Sequence, residues 1–387
     1  MKVTMLGTFP PIKGISRTYC VPLALALSRR VAVDFLSFSH IYPECLYPGG
    51  TKEPGDTLAV PAPGLSVRRP LAWFNPFGWA WTGLRFPGDV LHVNWWTCAL
   101  APVELGVMLG AKLRRKPVVM TVHNVLGHET GFIDRVLTRL AFRLPDRFIV
   151  HTEENRRQIE TIFGIARERI EVVPFGALEI YDDAPVSRED ARRELGIAPE
   201  DRAILFFGNI RDYKGLDVLL RAMPAVLERV PKARLLIAGT CWKDWDRYRR
   251  IIDELGLAER LRLDIGYVPT PKVKVYFRAA DVLALPYLHF EAQSGPGNIA
   301  LAFGTPIVAT RTGGLPSLVR DEHAIVPPGD AGALARALAD CLGDPGRLAS
   351  MSADSAALAK EFSWDSIAEK TAGIYDDLVA RKKAKHG

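Results

Sequence analysis

Short runs of β-branched and apolar residues recur along the whole chain, each followed by a stretch with helical spacing. This alternation restricts the fold more than any other feature. In the first half the strand candidates are KVTMLGTF, VAVDFLSF, DVLHVNWW, PVVMTVHN and RFIVHT; in the second they are AILFFGN, ARLLIAG, LRLDIGYV, DVLALPY and PIVATRTGG. Strands separated by helices cannot pair as hairpins, so the pattern predicts an α/β chain with parallel sheets. Between the halves, PFGALEIYDDAPVSREDARRELGIAPEDR is acidic and proline-bearing and reads as a linker. Two doubly wound domains are expected, facing each other across a cleft at the carboxyl ends of both sheets, where ligands bind in such folds.

With 387 residues, 48% of them hydrophobic, the chain can fill two ordinary cores. The five cysteines are scattered and form no Cys-x-x-Cys, so neither a disulfide framework nor a zinc site is expected. The start, MKVTMLGTFPPIKG, is too quickly broken by proline to read as a signal peptide, and the most apolar stretch, CALAPVELGVMLGA, is interrupted by Glu104. These features predict a cytoplasmic protein. The net charge of +6 is uneven: between Leu65 and Val150 eleven Lys and Arg stand against five acids. Basic solvated faces and an anionic partner surface are the two readings. No recognition motif accompanies the charge, so nucleic acid is not expected as a partner.

The first strand-to-helix turn, GTFPPIKGISRTYC, lacks the Gly-x-Gly-x-x-Gly of a dinucleotide fold, which argues against a nicotinamide enzyme. It offers Gly14, where a ligand could approach the backbone, and Ser16 as an N-cap for a helix with Cys20, Leu23, Ala24 and Leu27 on its apolar face. In the second half, FFGNIRDYKGLDVLL ends a strand at Gly208, carries Arg211 and Lys214 in a turn, and starts a helix after Gly215. Further on, FEAQSGPGNIALAFGTP places Glu291 before a glycine-bearing loop and a helix expected to begin near Asn298. Two cations and a helix N-terminus make a diphosphate site, leaving Glu291 free to accept hydroxyl hydrogen bonds.

The order GNIRDYKG, LIAGT, DVLALPY, FEAQSGPGNIALAFGTPIVATRTGGLPSLV and FSWDSIAEKTAGIYDDL resembles glycosyltransferase family 4, retaining enzymes of the GT-B fold with nucleotide-sugar donors. TVHNVLGHE and FIVHTEENRRQI are similar to the N-terminal half of bacterial members. The resemblance implies an acceptor-binding Rossmann-like domain over 1–175, a donor-binding one over 176–363, and a last helix, about 364–387, packed back onto the first. The family's Glu-x7-Glu pair falls on Glu291 and Ile299, so the second acid is missing. Gln293, Ser294 and Gly295 match a Gln-Ser-Gly variant of that loop, and the ribose role passes to Asn298, to a backbone group or to nothing. The family's Gly-Arg dipeptide is Gly208-Asn209, which leaves Arg211 beside Lys214.

What the resemblance implies for function is transfer of a hexose from a nucleotide-diphosphate sugar with retention, the leaving phosphate taking the acceptor proton. Arg211, Lys214 and the helix at Asn298 would stabilise the departing diphosphate. No cofactor is expected, and no metal, since protein cations neutralise the diphosphate. The family assigns His123, at the end of PVVMTVHN, to the transferred sugar or the acceptor. His151 and Asn155 read as cap and packing residues. For the acceptor, LAWFNPFGWAWTGLRF crowds Trp73, Phe74, Phe77, Trp79, Trp81 and Phe86 between Arg68, Arg69 and Arg85, and GFIDRVLTRLAFRL sets Arg135, Arg139 and Arg143 one helical turn apart. A lipid-linked acceptor reached at the inner face of an anionic membrane is the favoured expectation; the alternatives are a soluble enzyme acting on a sugar phosphate or small metabolite, and a non-catalytic binding protein.

Overall fold

The computed structural model describes residues 1–12, 15–42, 62–125, 132–181, 186–289 and 293–384. The chain forms two compact units, Met1–Phe175 with Ser363–Gly387, and Gly176–Phe362.

The first unit carries β1 (Lys2–Leu6), α1 (Val21–Ser28), β2 (Ala32–His40), β3 (Leu65–Ala72), α2 (Pro76–Arg85) and β4 (Val90–Trp95). It continues with α3 (Ala101–Leu113), β5 (Val118–Val122), α4 (Phe132–Ala141), β6 (Arg147–Val150), α5 (Glu153–Phe163) and β7 (Ile170–Val172). The strands lie in the order β3-β2-β1-β4-β5-β6-β7 and every pairing is parallel. Successive side chains of a strand point to opposite faces, so each strand feeds two cores. Val118, Met120 and Val122 join the layer under α2, α3, α4 and α5, whereas Val119 joins α1 on the other face. The last helix returns to cover that second face.

The second unit holds α6 (Arg188–Leu195), β8 (Arg202–Phe207), α7 (Leu216–Arg229), β9 (Ala233–Gly239), α8 (Asp246–Glu254), β10 (Leu261–Ile265) and α9 (Thr270–Ala279). It continues with β11 (Val282–Leu285), α10 (Gly295–Phe303), β12 (Ile307–Thr310), β13 (Ile325–Val326), α11 (Ala331–Gly343) and α12 (Pro345–Glu361); α13 (Trp364–Ala384) belongs to the first unit. Its sheet is parallel in the order β10-β9-β8-β11-β12-β13. In both sheets the order reverses beside the first strand, between β1 and β4 and between β8 and β11, and the carboxyl ends there are where such folds bind ligands.

Four sequence expectations need correction. The stretch read as a linker contains α6, whose Ala191, Arg192 and Leu195 are buried in the second unit. Ser16 is not an N-cap: it lies buried in a turn of π-helix, Ser16–Cys20, and its hydroxyl donates to the Ile12 carbonyl. Cys20, Leu23, Ala24 and Leu27 do form the buried face. Arg68 and Arg69 were expected as free basic flanks, but they lie on β3, an unforeseen strand. Arg68 makes a two-pronged ion pair with buried Asp34 at 3.0 and 2.6 Å, and Arg69 donates to the Pro10 carbonyl at 2.6 Å. The aromatic run also divides, since Phe86 is buried and Trp79 is half-buried with its indole N–H on the Ala72 carbonyl at 2.7 Å.

Candidate functional site

The two loops that leave the switch point of the second sheet are stitched together by backbone. After β8, Gly208 takes φ +97° and a short 3-10 turn, Asp212–Lys214, ends on Gly215 at φ +65°. A Cβ on Gly215 would stand 2.0 Å from the Pro286 carbonyl oxygen beyond β11, so both the left-handed backbone and the close approach require glycine. The Leu288 N–H donates to the Tyr213 carbonyl at 2.7 Å and closes the same seam.

This seam buries Lys214, which is 6% exposed. Its Nζ lies 5.2 Å from the centroid of the Tyr287 ring. A Cβ on Gly208 would come within 3.3 Å of that Nζ and 3.2 Å of Pro296 Cγ, so Gly208, Lys214 and the start of α10 converge. Among the described residues no carboxylate forms an ion pair with Lys214. Burial holds its ammonium below the usual lysine range, and the Arg211 charge acts in the same direction.

Opposite stands the N-terminus of α10. Ser294 caps it, its Oγ accepting from the Gly297 N–H at 3.2 Å and sharing a hydrogen bond with the Tyr287 hydroxyl at 3.2 Å. Pro296 has no N–H, and the Gly295 N–H has no partner among the described residues, so the helix presents its positive end unblocked. A buried ammonium and a helix N-terminus together make a candidate anion site. Arg211 stacks on Trp242, its guanidinium carbon 4.2 Å from the ring centroid. The loop carrying Trp242 is tied to the Lys214 turn by Lys243 to Asp212 at 2.5 Å, and Arg247 of α8 binds Asp212 at 3.3 Å and Asp217 at 2.9 Å.

In the first unit the carboxyl end of β5 presents His123, whose N–H donates to the Trp95 carbonyl at 2.8 Å. Its Nδ1 is 3.0 Å from His151 Nε2, its Nε2 is 3.5 Å from Asn94 Oδ1, and His151 Nδ1 is 3.0 Å from the Val173 carbonyl oxygen. Burial pushes the pKa of His123 well below the usual imidazole value, helped by neighbouring His151, and brings that of His151 down to about 4. Behind them His92 joins Thr121 Oγ1 at 2.7 Å and the Tyr375 hydroxyl of α13 at 2.5 Å, its pKa pushed down to about 3 by burial.

The profile described as glycosyl transferases group 1 matches residues 187–373, and that of glycosyltransferase family 4 matches residues 16–177. A D-inositol 3-phosphate glycosyltransferase of Nocardia farcinica is 37% identical over 323 residues, 78% of this chain and 69% of the relative. This chain belongs to glycosyltransferase family 4. A second D-inositol 3-phosphate glycosyltransferase, from Corynebacterium glutamicum, is 30% identical over 313 residues, 76% of this chain and 73% of the relative. Among solved structures, sucrose-phosphate synthase from Thermosynechococcus elongatus matches with TM-score 0.71 and 20% identity, covering 98% of this chain and 99% of that one. HepE of Anabaena in complex with UDP gives TM-score 0.73 and 18% identity over 97% of this chain and 100% of that one. The fold is GT-B, and the protein is a glycosyltransferase.

Of the residues singled out in this glycosyltransferase, Gly208, Lys214, Ser294 and Gly295 gather around the anion site, while Asn209 is exposed beside it and Gln293 is half-buried before the cap. Helix α10 begins at Gly295, three residues earlier than expected, because Ser294 supplies the cap. Asn298 therefore sits inside the helix, fully buried, with Nδ2 donating to the Ser294 carbonyl at 3.0 Å. It supports the helix start from behind and offers the ribose no surface. Ile299 is core, as its type requires. Gly14 and Glu291 lie outside the described residues. His151 is more than a packing residue, since it bonds His123. Sequence reasoning missed Tyr287, Trp242 and Asn94; an aromatic at the end of DVLALPY was the one available signal. A pocket of about 450 Å³ includes Gly266, Tyr267, Val268 and Pro269, runs along the outer edge strand β10 with Arg262 and Tyr276, and includes neither Lys214 nor Ser294.

Proposed function

We propose that this enzyme transfers a hexose from a nucleotide-diphosphate sugar with retention at the anomeric carbon. The observation that carries the reading is Lys214, a buried ammonium with no carboxylate partner among the described residues, facing a helix N-terminus. Such a charge is costly without an anion, and a diphosphate is the anion that a Rossmann-like switch point accommodates. HepE has been crystallised with UDP and with UDP-glucose, which supports the same ligand class here. Lys214, the α10 N-terminus and Arg211 take the charge of the leaving diphosphate, with no metal in the step. The bond from C1 to the phosphate oxygen breaks, the acceptor oxygen bonds C1 on the same face, and the acceptor proton passes to the leaving phosphate. His123 contacts the transferred sugar or the acceptor, and Glu291 binds sugar hydroxyls.

For the acceptor we favour a lipid-linked or cell-envelope glycan intermediate, reached from the cytoplasmic face of an anionic membrane. Trp73, Phe74, Phe77 and Trp81 are exposed on and before α2, Phe77 by 87%, and Arg85 lies over the Trp81 ring at 4.2 Å. Helix α4 exposes Phe132, Val136 and Leu140 in one stripe beside Arg135 and Arg139, with exposed Arg143 just past its end. Exposed aromatic and aliphatic side chains mixed with arginines match a lipid headgroup layer. No described helix is long and apolar enough to cross a membrane. A second reading, a polyol or sugar phosphate acceptor, is favoured by the relatives named D-inositol 3-phosphate glycosyltransferase.

A thermal-shift panel of nucleotide sugars tests the donor, since a ligand at a hundred times its Kd adds about 2.7 kcal/mol of stability. No shift with any of them sinks the donor reading. Flotation with anionic and neutral vesicles, followed by transfer assays with inositol phosphate and with extracted lipid acceptors, separates the two acceptors.

A further inference from the structure

Arg211, Lys214, Lys243 and Arg247 gather at the turn after β8, and the fold sorts them into two kinds. Lys243 and Arg247 take up the acids of the turn: Lys243 donates to Asp212 at 2.5 Å, and Arg247 to Asp212 at 3.3 Å and to Asp217 at 2.9 Å. Arg211 and Lys214 have no carboxylate partner among the described residues and lie on aromatic faces instead, Arg211 on Trp242 at 4.2 Å and Lys214 on Tyr287 at 5.2 Å. The backbone fixes the first of these stacks. Beyond the ends of β8 and β9 the parallel pairing runs on for one bridge, Ile210 with Cys241, in which the Ile210 N–H donates to the Thr240 carbonyl at 2.8 Å and the Ile210 carbonyl accepts from the Trp242 N–H at 3.2 Å. Ile210 is buried in the core, so Arg211, next in extended backbone at φ −135° and ψ 155°, turns the other way, with Trp242 in register beside it.

An indole face suits an arginine that has to stay available. A carboxylate beside Arg211 would cancel its charge and occupy up to two of its N–H donors, whereas the ring attracts the guanidinium through its quadrupole and leaves the in-plane donors free. Asp212, the next residue along, is the nearest such carboxylate in the sequence, and Lys243 and Arg247 hold it elsewhere. Trp242 is 61% exposed, so its indole adds little to the core and its closest use is the guanidinium it carries. We propose that Trp242 is a positioning residue that holds Arg211 charged and with its N–H donors unspent for the two phosphates, a role that rests on the reading that Arg211 meets the donor diphosphate. Lys214 then meets the diphosphate from the buried side and Arg211 from the rim, and Trp242 touches the ligand only through Arg211.

Isothermal titration of the full chain with UDP, GDP and ADP tests this through a double-mutant cycle. Trp242→Leu is expected to weaken the diphosphate that binds by about threefold to tenfold, whereas Trp242→Phe, which keeps an aromatic face, should stay within about twofold of the unsubstituted protein. In an Arg211→Met background Trp242→Leu should change nothing further, because the ring then has no cation to hold. An equal loss in both backgrounds would mean that the indole touches the ligand itself, and it overturns the positioning role, as does a loss as large with phenylalanine as with leucine. Trp242→Gln repeats the cycle should Trp242→Leu fail to fold. If Arg211→Met weakens binding and Trp242→Leu does not, the proposal fails while the diphosphate reading stands. If Arg211→Met binds as tightly as the unsubstituted chain, Arg211 is not at the diphosphate and both fall, as they do if none of the three nucleotides binds at all.

Discussion

At the scale of the residue, Lys214 carries two opposed consequences. It was legible in the sequence as a loop cation before a helix, but a loop lysine is ordinarily solvated; only its 6% exposure makes it an ammonium held in place without a carboxylate partner among the described residues. Replacing it with methionine keeps the stem and removes the charge. Transfer should fall by about 10²–10³ in kcat/KM, the range for loss of one preorganised group facing developing charge. The melting temperature of the ligand-free protein should hold or rise, because an uncompensated buried charge is gone. Activity near that of the unsubstituted enzyme would remove Lys214 from the diphosphate, and a large drop in melting temperature would make it structural. Asn298 is the opposite case: its side chain is suited to ribose, yet one turn of helix faces it inward.

At the scale of the element, the seam between the loops after β8 and β11 depends on Gly215. The substitution Gly215→Ala places a methyl against the Pro286 carbonyl and forces an alanine to φ +65°. A loss of roughly 2–4 kcal/mol in urea unfolding is expected from the strained backbone and the overlap together, with weakened nucleotide binding because Lys214 shifts. An unchanged midpoint would show that the loops part easily. On α4 and just past its end, replacing Arg135, Arg139 and Arg143 with glutamine removes three charges near Phe132, which is 82% exposed. At about 1 kcal/mol for each arginine near an anionic surface, vesicle binding should weaken by roughly two orders of magnitude. Raising the salt should weaken the binding of the unsubstituted protein as well, since screening acts over about 8 Å at physiological ionic strength. Undiminished binding in the triple variant would make the stripe an ordinary solvated face and leave attachment to the aromatics of α2. The α4 stretch was legible as charges at helical spacing, and the α2 stretch as a cluster of aromatics between arginines. That Arg68 and Arg69 belong to a strand was not, because LSVRRPLA carries little of the apolar alternation that marks the other strands.

At the scale of the molecule, the buried imidazoles of the first unit set an acid limit. His92, His123 and His151 all have folded pKa values below the unfolded value of about 6.5. The unfolded chain therefore binds protons that the folded one refuses, and stability, fully present above pH 6.5, is lost as pH falls toward 4. Glu104 works the other way: fully buried in α3, with neither carboxyl oxygen hydrogen-bonded among the described residues, it is pushed well above the usual carboxylate range by burial, so the fold holds a proton there that the unfolded chain releases above about pH 4.5. Three imidazoles against one carboxyl leave the unfolded chain ahead in bound protons between about pH 5 and 6, so stability falls as the pH is lowered through that window. Denaturant titrations from pH 7.5 to 5 should show this fall, and Glu104→Leu should stabilise more at pH 8 than at pH 5. Stability that rises on acidification would mean the histidines are charged in the fold.

The sequence by itself determined the parallel α/β class and nearly every long strand, because the periods of two and 3.6 residues are properties of neighbouring positions. It also placed Lys214, Ser294 and Gly295 in loops at strand ends, and the resemblance those motifs carry set the family. Only the tertiary structure decided which loops meet. The seam between Tyr213 and Leu288 exists because β8 and β11 are neighbours in the sheet, an order that no local period encodes. His151 reaches His123 across 28 positions for the same reason, through the pairing of β5 with β6. The burial of Lys214 and His123, which takes both side chains out of water, is a property of that packing.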